Sequence, residues 1–307
     1  MFDVDKKLVE DKTDVLNYFR NRSVEILDES RRQYAETEFK KRASYVNKEL
    51  VASKKKLLQA VTQLAAADKW TNEEILKAVL TVTYANYVVM LEARNAVWEY
   101  EYMAFSRRIG ELWEPFCKLC FEYPINQLDY FIPPLFSDVQ AQLRQEISDY
   151  LAGLNLTDDQ RSELLTYYEK VWSLVTSGEI KLELDLHFKS NNQIYNIDFK
   201  SGFGSNEKGN TNRLLLVATI YQNLEEDQNC ILLVRSAEDS NNNYFQTLKT
   251  SNVWEGYCGV EAYGKIETFT GFKIQNWIES NIDWAADLSD ETFEQFQSNG
   301  LDQYLSW

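Results

Sequence analysis

A chain of 307 residues with 48 acidic and 32 basic side chains carries a net charge of −16, which argues against a global electrostatic attraction to nucleic acid. With 44% hydrophobic and 14% aromatic residues it can bury the core of one large domain or two modest ones. Four cysteines argue against a disulfide framework, and a single histidine excludes Ser-His-Asp triads, Cys-His nucleophiles and HExxH zinc sites, so any hydrolytic chemistry rests on carboxylates and lysine.

The start, MFDVDKKLVEDKTDVLNYF, is charged throughout and does not read as a secretory leader. The most apolar window, AVLTVTYANYVVML (78–91), carries Thr81, Thr83 and Asn86. It is shorter than the roughly 20 residues of a membrane span. A soluble, cytoplasmic chain with no membrane partner is expected.

Residues 1–122 read as helix nearly throughout, with apolar residues three and four apart and no proline before Pro115. Thr71 and Glu74 in WTNEEILKAVL form a capping box. Lys40 to Lys56, which includes Lys54, Lys55 and Lys56, holds seven basic residues against Glu49 alone. It is either a solvated helix face or a phosphate-contacting arm. Cys117 and Cys120 in CKLC sit at helical spacing and read as small core residues, because no further ligands complete a zinc site. Pro124, Pro133 and Pro134 break the helical pattern, and two more helices are expected at 137–152 and 158–176, the second opened by Thr157 with Gln160.

At Ser177-Gly178 the period changes from 3.6 to 2. IKLELDLHF and YNIDF alternate strictly, then come a polar loop SGFGSNEKGNTN, a helix RLLLVATIYQNL and a buried strand CILLVRS. Two further helices are expected at 272–281 and 290–298. The basic and acidic residues balance over 1–124, so the whole net charge lies beyond, and no basic residue follows Lys273.

Asn191-Asn192 suits a two-residue hairpin turn, and that turn sets the register. Asp185 then faces Asp198, Glu183 faces Lys200 and His187 faces Asn196. Leu184, Leu186, Phe188, Ile197 and Phe199 line the other face. Two carboxylates with Cβ atoms roughly 5 Å apart repel unless a cation sits between them, and Mg²⁺ takes such oxygen ligands. Lys200 points to the same side as Asp198, where its charge offsets that of a phosphate oxygen. The competing reading is an exposed hairpin face with a Glu183–Lys200 pair. Asp/Glu-x-Lys occurs five times, but only Asp198–Lys200 lies on a clear strand with a facing carboxylate and runs into a loop before a helix N-terminus, a ready anion site.

ELDLHF followed by NIDFK resembles the active-site hairpin of the PD-(D/E)XK nuclease superfamily, and the make-up looks most like a type II restriction endonuclease. The resemblance covers roughly residues 160–236. Leu184 stands where the superfamily's name places a proline, which leaves Glu183 as a rival to Asp185 for first ligand. The resemblance implies an α/β fold with a restriction-endonuclease-like core of helix, β-hairpin, helix and central mixed sheet. A helical region at 1–135, suited to DNA binding or dimerisation, would precede a catalytic domain at 136–307. It also implies Mg²⁺ held by Asp185, Asp198 and the Phe199 carbonyl, with Lys200 assisting the attacking water. A further acidic residue would come from the preceding helix, Glu169 or more weakly Glu163. The implied reaction cleaves phosphodiester bonds of double-stranded DNA at a short sequence and leaves 5′-phosphate and 3′-hydroxyl ends. A homodimer and a companion DNA methyltransferase follow from the same resemblance. Ser205, Asn206, Lys208, Asn210, Asn212 and Arg213 in the loop offer donors to phosphates or base edges. Two other readings stand beside it: a structure-selective repair or recombination nuclease, and a non-catalytic helical interaction protein in which the hairpin has no role.

Overall fold

The computed structural model describes residues 6–175, 180–204, 206–224 and 227–307. Helices α1 (Lys6–Glu10), α2 (Lys12–Gln33), α3 (Phe39–Asp68), α4 (Asn72–Val97) and α5 (Tyr102–Glu122) occupy the stretch expected to be helical. The capping box opens α4: the Thr71 N–H donates to Glu74 at 2.9 Å and the Glu74 N–H donates to Thr71 Oγ1 at 3.3 Å. α4 is the one helix among the described residues long and apolar enough to cross a membrane. Its most apolar window is 83% buried, so that surface is spent on the core.

Next come β1 (Asp129–Tyr130), α6 (Phe136–Ala152) and α7 (Asp158–Val175). Thr157 and Gln160 cap α7 reciprocally, as expected. The hairpin follows as β2 (Leu186–Ser190) and β3 (Gln193–Lys200). Then come α8 (Lys208–Gln222), β4 (Gln228–Val234), α9 (Asn243–Lys249), β5 (Glu255–Cys258) and α10 (Val260–Thr270). The chain closes with α11 (Ile274–Asn281), α12 (Trp284–Asp287) and α13 (Asp290–Ser298). Among the described residues this is an α/β architecture of thirteen helices and one open, mixed, five-stranded sheet.

The sheet order is β1-β2-β3-β4-β5. The first three strands are antiparallel and the last three parallel, because α8 and α9 each return the chain to the same end of the sheet. Asn191 and Asn192 take φ of 50° and 62°, the left-handed pair a two-residue hairpin needs. The register is the expected one over the ladder, with Leu186 on Ile197, His187 on Asn196 and Phe188 on Tyr195.

The sheet separates two apolar clusters. On one face Phe188, Ile197, Phe199, Ile231 and Leu233 pack with α2 to α5, α10, α11 and the C-terminal residues. On the other Ile231 and Leu233 give way to Cys230, Leu232 and Val234, packed with α6, α8 and α9. β4 is therefore buried on both faces, as its unbroken apolar run requires. The first cluster crosses the boundary at residue 135: Trp113 and Phe121 of α5 meet Phe199 of the hairpin edge to face, and Phe121 packs at a tilt on Phe188. The acidic C-terminal segment packs on the N-terminal helices. Asp287 takes hydrogen bonds from Lys12 at 2.7 Å and Tyr84 at 2.8 Å, and Trp307 packs against Tyr87, Phe116 and Trp284. Cys117 and Cys120 are buried free thiols in this core, as their spacing indicated.

Candidate metal centre

The ladder of β2 and β3 stops at Leu186, three residues short of the expected Glu183–Lys200 pairing. Leu182 and Leu184 sink into the cluster around α8, whereas Leu186 and Phe188 pack on the opposite face. A strictly alternating strand would have kept Leu184 and Leu186 together. The chain therefore crosses from one face to the other at Asp185.

Two hydrogen bonds fix that crossing. The Leu184 N–H donates to His187 Nε2 at 2.9 Å, and the Phe199 N–H donates to Asp185 Oδ2 at 2.8 Å. The Asp185 carboxylate thus takes the place of a ladder carbonyl. His187 is held in turn by Asn196 Oδ1, 2.7 Å from Nδ1, and Asn196 donates to Gln228 at 2.8 Å. Accepting at Nε2 makes His187 a neutral imidazole with its proton on Nδ1. Burial, which lowers its pKa, favours the same state.

The expected face-to-face pairing across the ladder is thereby corrected. Asp185 reaches the backbone beside Asp198 instead of facing it from a paired strand. Glu183 is exposed and pairs with Lys181 at 3.0 Å, so it does not face Lys200. Glu169 lies on the exposed side of α7 in a 2.6 Å ion pair with Arg144, and Glu163 is exposed on the same helix. Among the described residues no third His, Cys, Asp or Glu forms a metal-binding group with Asp185 and Asp198.

Asp198 is 3% exposed. Its Oδ1 is held in a close ion pair by Lys200, and its Oδ2 lies 3.5 Å from Arg213 Nη2 on α8. Burial raises its pKa; Lys200 and Arg213 oppose that shift, while the nearby Asp185 charge adds to it.

Sequence reasoning missed Glu114 and Lys118 on α5. Lys118 Nζ stands 2.8 Å from Asp185 Oδ1 and 2.8 Å from Glu114 Oε1, above the Phe199 ring. Burial alone would lower the Lys118 pKa, but the two carboxylates hold it above its usual value. In the sequence this is one i,i+4 pair like Glu73–Lys77 or Arg107–Glu111. Nothing local marks it as part of a site.

α5 also forms a wall of the neighbouring cleft. A cleft of about 760 Å³ runs between Arg107, Gly110 and Glu114 on α5 and Ser201, Gly204 and Arg235 opposite. Gly110 permits the approach, because a Cβ there would lie 2.1 Å from Ser201 Oγ.

The candidate DNA contacts divide. Ser205 lies outside the described residues. Lys208 to Arg213 were expected in a loop but form the first turns of α8, where the Thr211 N–H bonds the Glu207 carbonyl at 2.8 Å. Asn206, Lys208 and Asn212 are exposed, and Asn210 donates to Glu207 at 3.0 Å. Arg213 turns inward to Asp198 and the Lys181 carbonyl. On α3, Lys55 and Lys56 are exposed, whereas Lys54 lies over the Tyr87 ring and burial lowers its pKa.

Comparisons with family models, curated proteins and solved structures return no match. The donor set itself is suited to a hard divalent cation: two carboxylates, one of them almost fully buried, beside the Phe199 backbone. Asp185, Asp198 and the Phe199 carbonyl are the residues that would hold Mg²⁺.

Proposed function

We propose that this protein is a Mg²⁺-dependent DNA endonuclease with a PD-(D/E)XK-type site, acting on double-stranded DNA at a short sequence as type II restriction enzymes do. The observation that carries the reading is Asp198. An almost fully buried carboxylate, its charge disfavoured by burial, beside a second carboxylate and two residues before a lysine, is costly for folding and useful for binding a cation. Support comes also from its setting, a hairpin followed by a helical crossover into a parallel strand, with the site near the carboxyl ends of β3 and β4.

In this reading Asp185 and Asp198 hold the cation, with the Phe199 carbonyl beside them. When bound, Mg²⁺ neutralises phosphate charge and makes water a better nucleophile near neutral pH. Lys200 orients and assists the attacking water, and Arg213 balances the charge of Asp198. The cleft beside α5 receives the DNA backbone, with Arg107 and Arg235 facing phosphates. Cutting both strands calls for two such sites, most simply in a homodimer related by a two-fold axis. A DNA methyltransferase that protects the same sequence is its expected companion.

The test is incubation of the protein with unmethylated phage and plasmid DNA, with Mg²⁺ or EDTA, beside Asp198→Ala. Discrete fragments that need Mg²⁺ and disappear in the variant are expected. A smear, or cutting confined to branched substrates, would redirect the reading to a structure-selective nuclease. No cleavage together with no cation binding by calorimetry would overturn the enzyme reading in favour of a helical interaction protein.

A further inference from the structure

We propose that Lys118 is the built-in counter-ion of this site: its ammonium holds the cation position between Asp185 and Glu114 in the metal-free protein, and a divalent cation enters by displacing it. The inference rests on the metal-binding reading above and goes beyond it by making Glu114 and Lys118 working parts of the site.

Three observations carry it. Lys118 Nζ is 2.8 Å from one oxygen of each carboxylate, so a single positive charge already bridges the two groups. Asp185 keeps its other oxygen on the Phe199 N–H, which anchors the carboxylate whether or not Lys118 is present. Asp198, almost fully buried, lies close enough to Asp185 for the two charges to act on one another. Lysine is a flexible point charge, and the Lys118 side chain retains 23% exposure, so it has a way out that a buried arginine fork would lack. Displacement exchanges one positive charge for two beside the Asp185 and Glu114 carboxylates. Once Lys118 leaves, Glu114 is free to turn to the incoming cation from the α5 wall of the cleft.

The device has a consequence for affinity. Part of the cation's binding energy goes into removing Lys118, so the wild type binds more weakly than its carboxylates alone would allow. It also keeps the carboxylates from repelling one another before a cation arrives.

Calorimetry with Mn²⁺ and Ca²⁺ on the DNA-free protein tests this, using wild type, Lys118→Met and Lys118→Arg. Lys118→Met is expected to bind about tenfold tighter, the scale of changes around metal ligands. It should melt earlier than wild type in EDTA and gain more in melting temperature when Mn²⁺ is added. Lys118→Arg keeps the charge and should bind no tighter than wild type. A second readout needs no variant: Ca²⁺ should raise the rate of acetylation of Lys118 by acetic anhydride several-fold, followed by mass spectrometry of the wild-type protein. Unchanged or weaker binding by Lys118→Met overturns the proposal, as does Lys118 labelling unchanged at saturating Ca²⁺. If the wild type itself binds no divalent cation, the metal-centre reading falls with it, and that outcome is distinct from either of these.

Discussion

Asp198 is the residue on which folding and chemistry pull apart. Burial disfavours its charged form more than Lys200 and Arg213 favour it, so its folded pKa lies above the unfolded value. The native state therefore binds more protons than the unfolded chain across that interval. The stabilising contribution is fully present below about pH 4, the ordinary aspartate range, and is lost as pH rises through the raised folded value. Asp198→Asn keeps the shape and removes the charge. In EDTA at pH 7 it should melt higher than wild type by roughly 1–4 °C, and the gap should close towards pH 4. In saturating Mn²⁺ the order should reverse, because only the wild type gains from the ion. Scanning calorimetry over that pH range with and without Mn²⁺ checks both. A variant less stable than wild type in EDTA at pH 7 would mean that the pairs with Lys200 and Arg213 outweigh burial.

At the scale of elements, two close fits hold the site in place. Gly110 lies inside α5, where Ala normally stabilises a helix by about 1 kcal/mol over Gly. Here the added Cβ would strike Ser201 one residue after Lys200. Gly110→Ala should therefore cost about 1–3 kcal/mol. Gly110→Ala with Ser201→Gly should recover most of it, as denaturant melts of the single and double variants would show. The hairpin turn is the second fit. Asn191 and Asn192 both hold positive φ, and glycine at the second position relieves that strain. Asn192→Gly should add up to ~1 kcal/mol without moving the register, whereas Asn191→Val should lose at least as much. Because the turn sets which residues oppose one another, register-sensitive amide contacts by NMR are the check that matters.

At the scale of the molecule, the C-terminal third closes over the N-terminal helices. Asp287 is the main polar stitch, accepting from Lys12 and Tyr84, and the Asp283 N–H also reaches it at 3.3 Å. Arg20 adds a bond to the Asp287 carbonyl and a two-pronged grip on Glu92. Asp287→Ala leaves several buried or half-buried donors without an acceptor and should cost about 3 kcal/mol. The melt should remain a single transition, because one apolar cluster contains both the N-terminal helices and the C-terminal segment. Separate melting of residues 1–135 would contradict that continuity. One ion pair of this seam joins Asp287, beyond Lys273, to Lys12, and Arg20 bonds the Asp287 backbone carbonyl, both across more than 250 residues of sequence.

Local patterns by themselves determined much of this protein. Helical periodicity, the Thr71–Glu74 and Thr157–Gln160 caps, the Asn191-Asn192 turn and the unbroken apolar run of β4 all follow from interactions within a few residues, and all stand in the structure. The turn also set Asp198 and Lys200 on one face of β3. Only tertiary packing decided where β2 stops. Leu182 and Leu184 gain burial against α8 by leaving the ladder, and that turns Glu183 to solvent and Asp185 towards α5. Nor does any pattern within α5 tell that Glu114 and Lys118 meet Asp185, since 67 residues of chain separate Lys118 from it. The residues of the hairpin were legible because periodicity is local; the charges around them were not, because a contact between distant segments leaves no period in either one.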